Sequence, residues 1–438
     1  MSTPDATPSL ALAAPRRLRL STLHLAGGQA VVSATLPLNA TVGSVAAVHL
    51  SHHHALGGAS VGVALLASMA ALMVAGRQSD VHGRRPVLAA GFALLALGAV
   101  VAGVGIGVGS FAVFIVGTAI FGLGSGPAML CRAAAADLYP TALRGRGVGI
   151  VTSAGTVGAV FGPLVAASMG AAGVALGVDR ETAPWFIAPV LGAIAIYLVV
   201  TIRPDPRDVA RDLRTWYPSL PPAEPDPPPR VRRALLSLSP VRAAIVSIAC
   251  AQGAMVGVMA VTGVVLDDAG YDQAAVASLM SAHFIGMFAF SIPLGGLADR
   301  RGRRATLAGG AVVTGAGALG TGLIGESVAI TPFFFLLGLG WCACFVASTS
   351  VLADVTTATE RGRLMALNDQ IVALAGASAA LGCGPLLGFV GFWAVGGLMA
   401  LIALVPLLLV VPLREPEPGR YGPPAPSGGR SALASSRR

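Results

Sequence analysis

The chain has 438 residues, of which 55% are hydrophobic and 11% charged, against roughly 25% charged residues in an ordinary soluble domain. So few charges cannot screen so much apolar surface from water, which excludes a soluble globular fold and makes a bilayer the solvent. Aromatics are only 5% while glycine reaches 57 residues, a composition for helices packed closely in lipid and not for a membrane barrel.

The polar stretch 1–19 contains no short apolar core followed by a small-residue cleavage site, so it is expected to be a cytoplasmic segment, with insertion signalled by the first span. Twelve apolar runs of about 20 residues, the length of one crossing, follow. They begin near Leu20, Leu56, Pro86, Ser110, Gly147 and Pro184, then near Val241, Ala274, Ala305, Thr331, Leu364 and Gly391. The runs predict an all-α membrane protein with a six-helix bundle over 20–202, a cytoplasmic linker over 203–240, a second six-helix bundle over 241–413 and a disordered tail over 414–438. The linker carries Pro218, Pro221, Pro222, Pro225, Pro227, Pro228 and Pro229, which favours an extended, semi-rigid connection with short interfacial helices.

All 29 basic residues are arginine, and in this topology 28 lie on the side of the termini, with Arg180 alone opposite. Arginine marks cytoplasmic loops, so both termini are placed in the cytoplasm. The formal charge of +9 then reflects topology and calls for no nucleic-acid partner. Cys131, Cys250, Cys342, Cys344 and Cys383 sit in apolar runs without metal or disulfide spacing, as packing residues do.

An internal repeat organises the chain. Gly76, Asp80, Gly83, Arg84 and Arg85 recur 219 residues later as Gly295, Asp299, Gly302, Arg303 and Arg304. Ala136, Asp137, Arg144, Gly145 and Arg146 recur 217 residues later as Ala353, Asp354, Arg361, Gly362 and Arg363. Nearly equal offsets indicate duplication, and parallel six-span repeats place a solute cavity between two bundles near the midplane, as in alternating-access carriers.

The loop from Gly76 to Arg85 and its copy from Gly295 to Arg304 resemble motif A of the major facilitator superfamily, and the resemblance extends over nearly the whole chain. Gly83 and Gly302 permit a tight turn, while the Asp can meet arginines and the positive end of a helix. The resemblance implies twelve helices in two pseudo-symmetric bundles, a monomer in the cell membrane, a small-molecule substrate, proton coupling and no cofactor. It assigns Asp80, Arg84, Asp299 and Arg303 to a latch that stabilises one state. Arg77 and Gln78 depart from the usual small and apolar residues. The stretch from Asp137 to Arg146 is similar to the family's loop between spans four and five. It either ends a helix at Pro140 or supplies a gate in which Asp137, Arg144 and Arg146, with Asp354, Arg361 and Arg363, exchange partners with motif A.

Gly149, Gly158, Gly162 and Pro163 in span five resemble the exporter signature called motif C, with Ala166-Ala167 where a glycine pair is usual. The stretch either bends the helix at Pro163 or is a packing face of small residues. Thr118 stands where proton-coupled exporters carry a buried Arg, and no acidic residue falls in the middle of a span. His283 is the ionisable group at depth in span eight, either proton-active or a neutral hydrogen-bonded side chain. Gln29 and Gln252, with Ser33 and Thr262, occupy comparable places in the two halves and either line a cavity or bridge helices. His49, His52, His53 and His54 lie in an outer loop without acidic or Cys neighbours, so a solvated loop is expected and no metal site. No Walker motif or nucleophile–base pair indicates an enzyme.

These observations lead to a secondary transporter moving a small organic solute by alternating access, with proton-coupled efflux of an amphiphilic compound favoured. An importer or uniporter of a small metabolite is the alternative, and a non-transporting sensor with the same fold is the rival of another class.

Overall fold

The computed structural model describes residues 15–218 and 230–413, and these are helical, with connecting turns and loops. The predicted tail over 414–438 and the prolines from Pro221 to Pro229 lie outside the described residues. Twelve segments are long and apolar enough to cross a membrane. They are α1 Arg16–Ser51, α2 His54–His82, α3 Arg84–Gly107, α4 Phe111–Asp137, α5 Gly147–Ala175, α6 Ala183–Val200, α7 Ser239–Asp268, α8 Gln273–Arg301, α9 Arg303–Ile324, α10 Val328–Asp354, α11 Arg363–Val390 and α12 Phe392–Val410. Exposed Ile292, Phe389 and Leu408 on the bundle's flanks are the apolar surface expected of helices solvated by lipid.

Consecutive spans run in opposite directions, so the start of α1, the end of α12 and the described part of the linker share one end of the bundle, the linker end. The loops after α1, α7 and α9 lie at the far end. Among the turns that require glycine are Gly83 (φ 99°) before α3, Gly302 (φ 91°) before α9 and Gly391 (φ 108°) before α12, because a Cβ is strained at such angles. Four spans are interrupted, α2 between Leu56 and Ala59, α4 between Ala128 and Cys131, α8 between Phe288 and Ser291 and α12 between Leu404 and Leu407.

Small residues bring backbones together inside each half. A Cβ on Gly98 would stand 2.1 Å from the Phe121 amide nitrogen, and one on Gly317 would stand 2.5 Å from the Leu337 nitrogen. These fuse α3 with α4 and α9 with α10 at van der Waals distance, the packing that substitutes for the hydrophobic effect in lipid. Fully buried Trp185 completes the first half, edge-on to Phe114 and Phe121 at 5.8 and 5.9 Å.

The halves meet along α2 against α11, α5 against α8 and α1 against α7. A Cβ on Gly58 would collide with the Ala380 carbonyl, one on Gly384 would lie 2.3 Å from the Ala55 carbonyl oxygen, and Ser281 Oγ donates to the Val160 carbonyl at 2.7 Å. These contacts run from the far end to mid-depth. The linker folds into short helices, Pro206–Arg211 and Leu213–Trp216. Its buried Val209 and Tyr217 join a cluster with Leu18 and Leu138 of the first half.

Candidate functional site

At the linker end, both copies of the repeated loop build the same constellation. Arg84 Nε donates to Asp137 Oδ2 at 2.7 Å, with Asp80 Oδ1 3.7 Å from the guanidinium. Arg303 Nε donates to Asp354 Oδ2 at 3.2 Å, with Asp299 Oδ1 at 3.1 Å. Each Arg thus bridges an i−4 carboxylate on its own loop and one on the fourth helix of its half, a charge-assisted clamp. Asp80 and Asp299 are largely exposed. Gly295 and Gly76 sit in the helices before the turns, Arg85 donates to the Val200 carbonyl, and Arg304 donates to that of Val411. Arg361 reaches the Ala353 carbonyl at 3.1 Å, and Arg363 opens α11. The side chains of Arg144 and Arg146 lie outside the described residues.

The linker adds a residue that the sequence reading missed. Asp205 accepts from the backbone N–H groups of Arg84 and Arg85, both at 3.0 Å, and of Arg207 at 2.9 Å. A carboxylate at this position caps the start of α3 and meets its positive helix end. Arg207 and Arg211 then donate to the Val81 and Asp80 carbonyls. The second half is clamped through Glu360, which accepts from Arg230 and from the Thr357 amide in a capping box. The hydrogen bonds from Arg230 hold its carboxyl down to about 2 despite burial.

At mid-depth the paired amides occupy equivalent places. Gln29 Nε2 donates to Ser33 Oγ at 3.3 Å, against the Gly155 face of α5. Gln252 Oε1 accepts from Trp341 Nε1 at 2.7 Å, and its amide lies beside Gly376 and close to Leu65 of the opposite half. Trp341 stacks on Phe345 at 5.0 Å and meets Phe288 edge-on at 6.2 Å. The result is an aromatic wall with an amide at its centre. Near the linker end of α11, exposed Asp369 feels the charge of Arg132, which projects from α4 of the other half. Thr262 turns back to the Val258 carbonyl at 2.7 Å and is fully buried.

His283 sits inside the second half. Its Nδ1 donates to the Phe334 carbonyl at 2.7 Å, its ring packs on Phe334 and Phe284, and its buried Nε2 has no partner among the described residues. Of the motif C residues, Gly158 and Gly162 press on the Ala30 and Ala34 carbonyls of α1, whereas a Cβ on Gly149 would meet nothing. The helix runs unbroken through Pro163. A cavity of about 640 Å³ lies between α7, α11 and α12, lined by Cys250, Cys383, Leu386, Phe389 and Leu398. Because Phe389 is 86% exposed, this crevice opens on the lipid flank and not between the halves.

At the far end, the histidine loop does gain acidic neighbours, from segments distant in sequence. His49 lies 2.5 Å from Glu181 and 3.2 Å from Asp267, and His54 lies 3.3 Å from Asp268. Burial pushes the Glu181 carboxyl above the usual carboxylate range, with His49 opposing.

The family model of the Major Facilitator Superfamily matches residues 23–261 and 243–436. The chain is 28% identical to the MFS-type transporter YdeG of Bacillus subtilis (strain 168), over 85% of this chain and 87% of that protein. It is 27% identical to the riboflavin transporter RfnT of Brucella anthropi, over 76% of this chain and 80% of that one. The inward-open structure of the xylose transporter XylE from E. coli superimposes with a TM-score of 0.69 at 19% identity, covering 92% of this chain and 98% of that one. With two matched six-helix halves joined around paired amides, the chain belongs to the major facilitator superfamily, and it is a multi-pass membrane carrier of a small solute and not an enzyme.

Proposed function

We propose that the protein is a monomeric carrier in the cell membrane that expels a flat, amphiphilic organic solute by alternating access, with the termini in the cytoplasm and protons as the counter-ion. The observation that carries this reading is the mid-depth wall of Trp341, Phe345 and Phe288 around the Gln252 amide, with the Gln29–Ser33 pair at the equivalent place in the other half. Such a wall suits a planar solute that stacks and makes a few amide hydrogen bonds. The motif C glycines on α5 support export. With the halves in contact from the far end to mid-depth, the solute site faces the linker end, ready to load from the cytoplasm. Two groups are candidates for the proton site, His283 at depth through its buried Nε2 and Asp369 near the linker end, beside the charge of Arg132. Import is the second reading, supported by the likeness to a riboflavin transporter and a xylose transporter.

The test is flux in proteoliposomes of known orientation under an imposed pH gradient, with riboflavin and D-xylose as probes. Gradient-driven efflux of riboflavin, lowered about tenfold or more by Gln252→Ala through loss of one buried hydrogen-bonded contact worth ~1–2 kcal/mol, supports the reading. Loss of pH dependence alone in His283→Gln or Asp369→Asn locates the proton. Gradient-driven uptake reverses the direction, and binding without flux identifies a sensor.

A further inference from the structure

The far-end contact at His49 is unlike an ordinary surface ion pair, because a single imidazole is held by acids from both halves. Nδ1 faces Glu181 Oε1, in the loop before α6, at 2.5 Å, and Nε2 faces Asp267 Oδ2, near the end of α7, at 3.2 Å. A neutral imidazole has one N–H, so one of its nitrogens would present a lone pair to a carboxylate lone pair. Both contacts become hydrogen bonds only when the three groups share an additional proton, either as an imidazolium or with Glu181 in its acid form. The buried position of Glu181 makes the second form accessible as well as the first.

The charges around the site act in the same direction. Asp179 faces Glu181 from its own loop, and its amide-bonded turn fixes that loop through the Glu181 N–H at 2.8 Å. Asp268 lies beside Asp267 and pairs with His54 from the start of α2, and Glu326 of the loop between α9 and α10 reaches Asp268. His52 and His53 complete the loop after α1. The closed far end therefore gathers Asp179, Glu181, Asp267, Asp268 and Glu326 around His49 and His54. Five acids crowded together repel one another unless the imidazoles between them are charged.

We propose that His49 is a proton-binding site whose occupancy seals the far end, so that acid on that side holds the two halves in the arrangement seen here. When the halves part, His49 and Glu181 stay with the first half and Asp267 leaves with the second, so the imidazole loses one of the two carboxylates that favour its charged form and its hold on the proton falls toward that of a free imidazole, near pH 6.5. Closing thus favours uptake of a proton from the far-side medium. By linkage, the ratio of closed to open far end rises by up to about tenfold for each pH unit of acidification through that range. This proton regulates access and does not itself cross, because the site lies above the sealed cavity. The proposal rests on the alternating-access reading of the preceding subsection.

The experiment is a distance measurement by pulsed electron spin resonance on the full chain in lipid nanodiscs, between spin labels at Leu176→Cys of the first half and Leu323→Cys of the second. Both positions are exposed, at 81% and 72%. The expected result is two distance populations, the shorter growing as pH falls from 8 to 5.5, with the slope largely abolished in His49→Gln and in Asp267→Asn and largely kept in His54→Gln. His49→Arg is expected to hold the short distance at every pH. Two populations whose ratio ignores pH, or a His49→Gln slope equal to wild type, overturn the latch while leaving alternating access intact. A single far-end distance under all conditions overturns alternating access as well.

Discussion

Glu360 ties the linker to the second half through one carboxylate. Four hydrogen bonds converge on its carboxylate, from the Arg230 backbone, Nε and Nη2 and from the Thr357 amide. With a buried ionised acceptor, Glu360→Gln is expected to lower stability by about 1.5–3 kcal/mol at pH 7. The carboxyl is held down to about 2 in the fold, below its free value near 4.3, so its contribution is complete above that free value and is lost as pH falls toward 2. Thermal unfolding in detergent checks this: the gap between wild type and Glu360→Gln should close between pH 5 and pH 2, and a pH-independent gap would assign the effect to packing. At this same scale, legibility tracked sequence repetition. Arg84, Asp137, Arg303 and Asp354 could be paired in advance because each belongs to a motif present twice. Asp205, the acids around His49 and the Trp341 partner of Gln252 could not, because each contact joins segments at least 89 positions apart with no repeated pattern to couple them. The histidine loop was read as lacking acidic neighbours for that reason.

Among the elements, α5 separates two uses of glycine that look alike in a motif. Gly158 holds its helix against α1, where a Cβ would stand 2.0 Å from the Ala30 carbonyl oxygen, whereas Gly149 faces open space. Gly158→Val must push two helices apart, so it is expected to cost about 2–4 kcal/mol through overpacking against backbone and to lower the yield of folded protein. Gly149→Ala is expected to be neutral or slightly stabilising, since alanine is the better helix former by about 1 kcal/mol. Size-exclusion profiles and melting temperatures of the two variants distinguish packing from a shared hinge role, in which both would impair the protein alike. Span positions were accessible from hydropathy because lipid imposes length and composition together: every expected start falls within four residues of the observed one. The interruptions at 129–130 and 289–290 were not accessible, since neither carries a charge or a break in the apolar run, whereas those at 57–58 and 405–406 fall on Gly57-Gly58 and Pro406.

At the scale of the molecule, duplication explains most of the architecture: two halves, matching clamps at the linker end, paired amides at mid-depth. What breaks the symmetry is the interface, sealed at the far end by Ala55 against Gly384 and Gly388, and by Gly58 against Ala380. A sequence repeat cannot disclose that seal, because it is a property of one conformational state. In the proposed cycle this seal alternates with one at the linker end around a common cavity, and a disulfide tests that alternation without knowledge of the solute. A Cβ on Gly388 would lie 3.7 Å from that of Ala55, within the span of about 3.5–4.5 Å that a disulfide requires. The measurement is labelling of Ser33→Cys by a membrane-impermeant thiol reagent, in vesicles of defined orientation, with Cys250 replaced by Ala and the Ala55→Cys/Gly388→Cys pair either oxidised or reduced. The account predicts labelling from both sides when the pair is reduced, and from the linker side alone once it is oxidised. Equal labelling from the far side with the cross-link complete would contradict it.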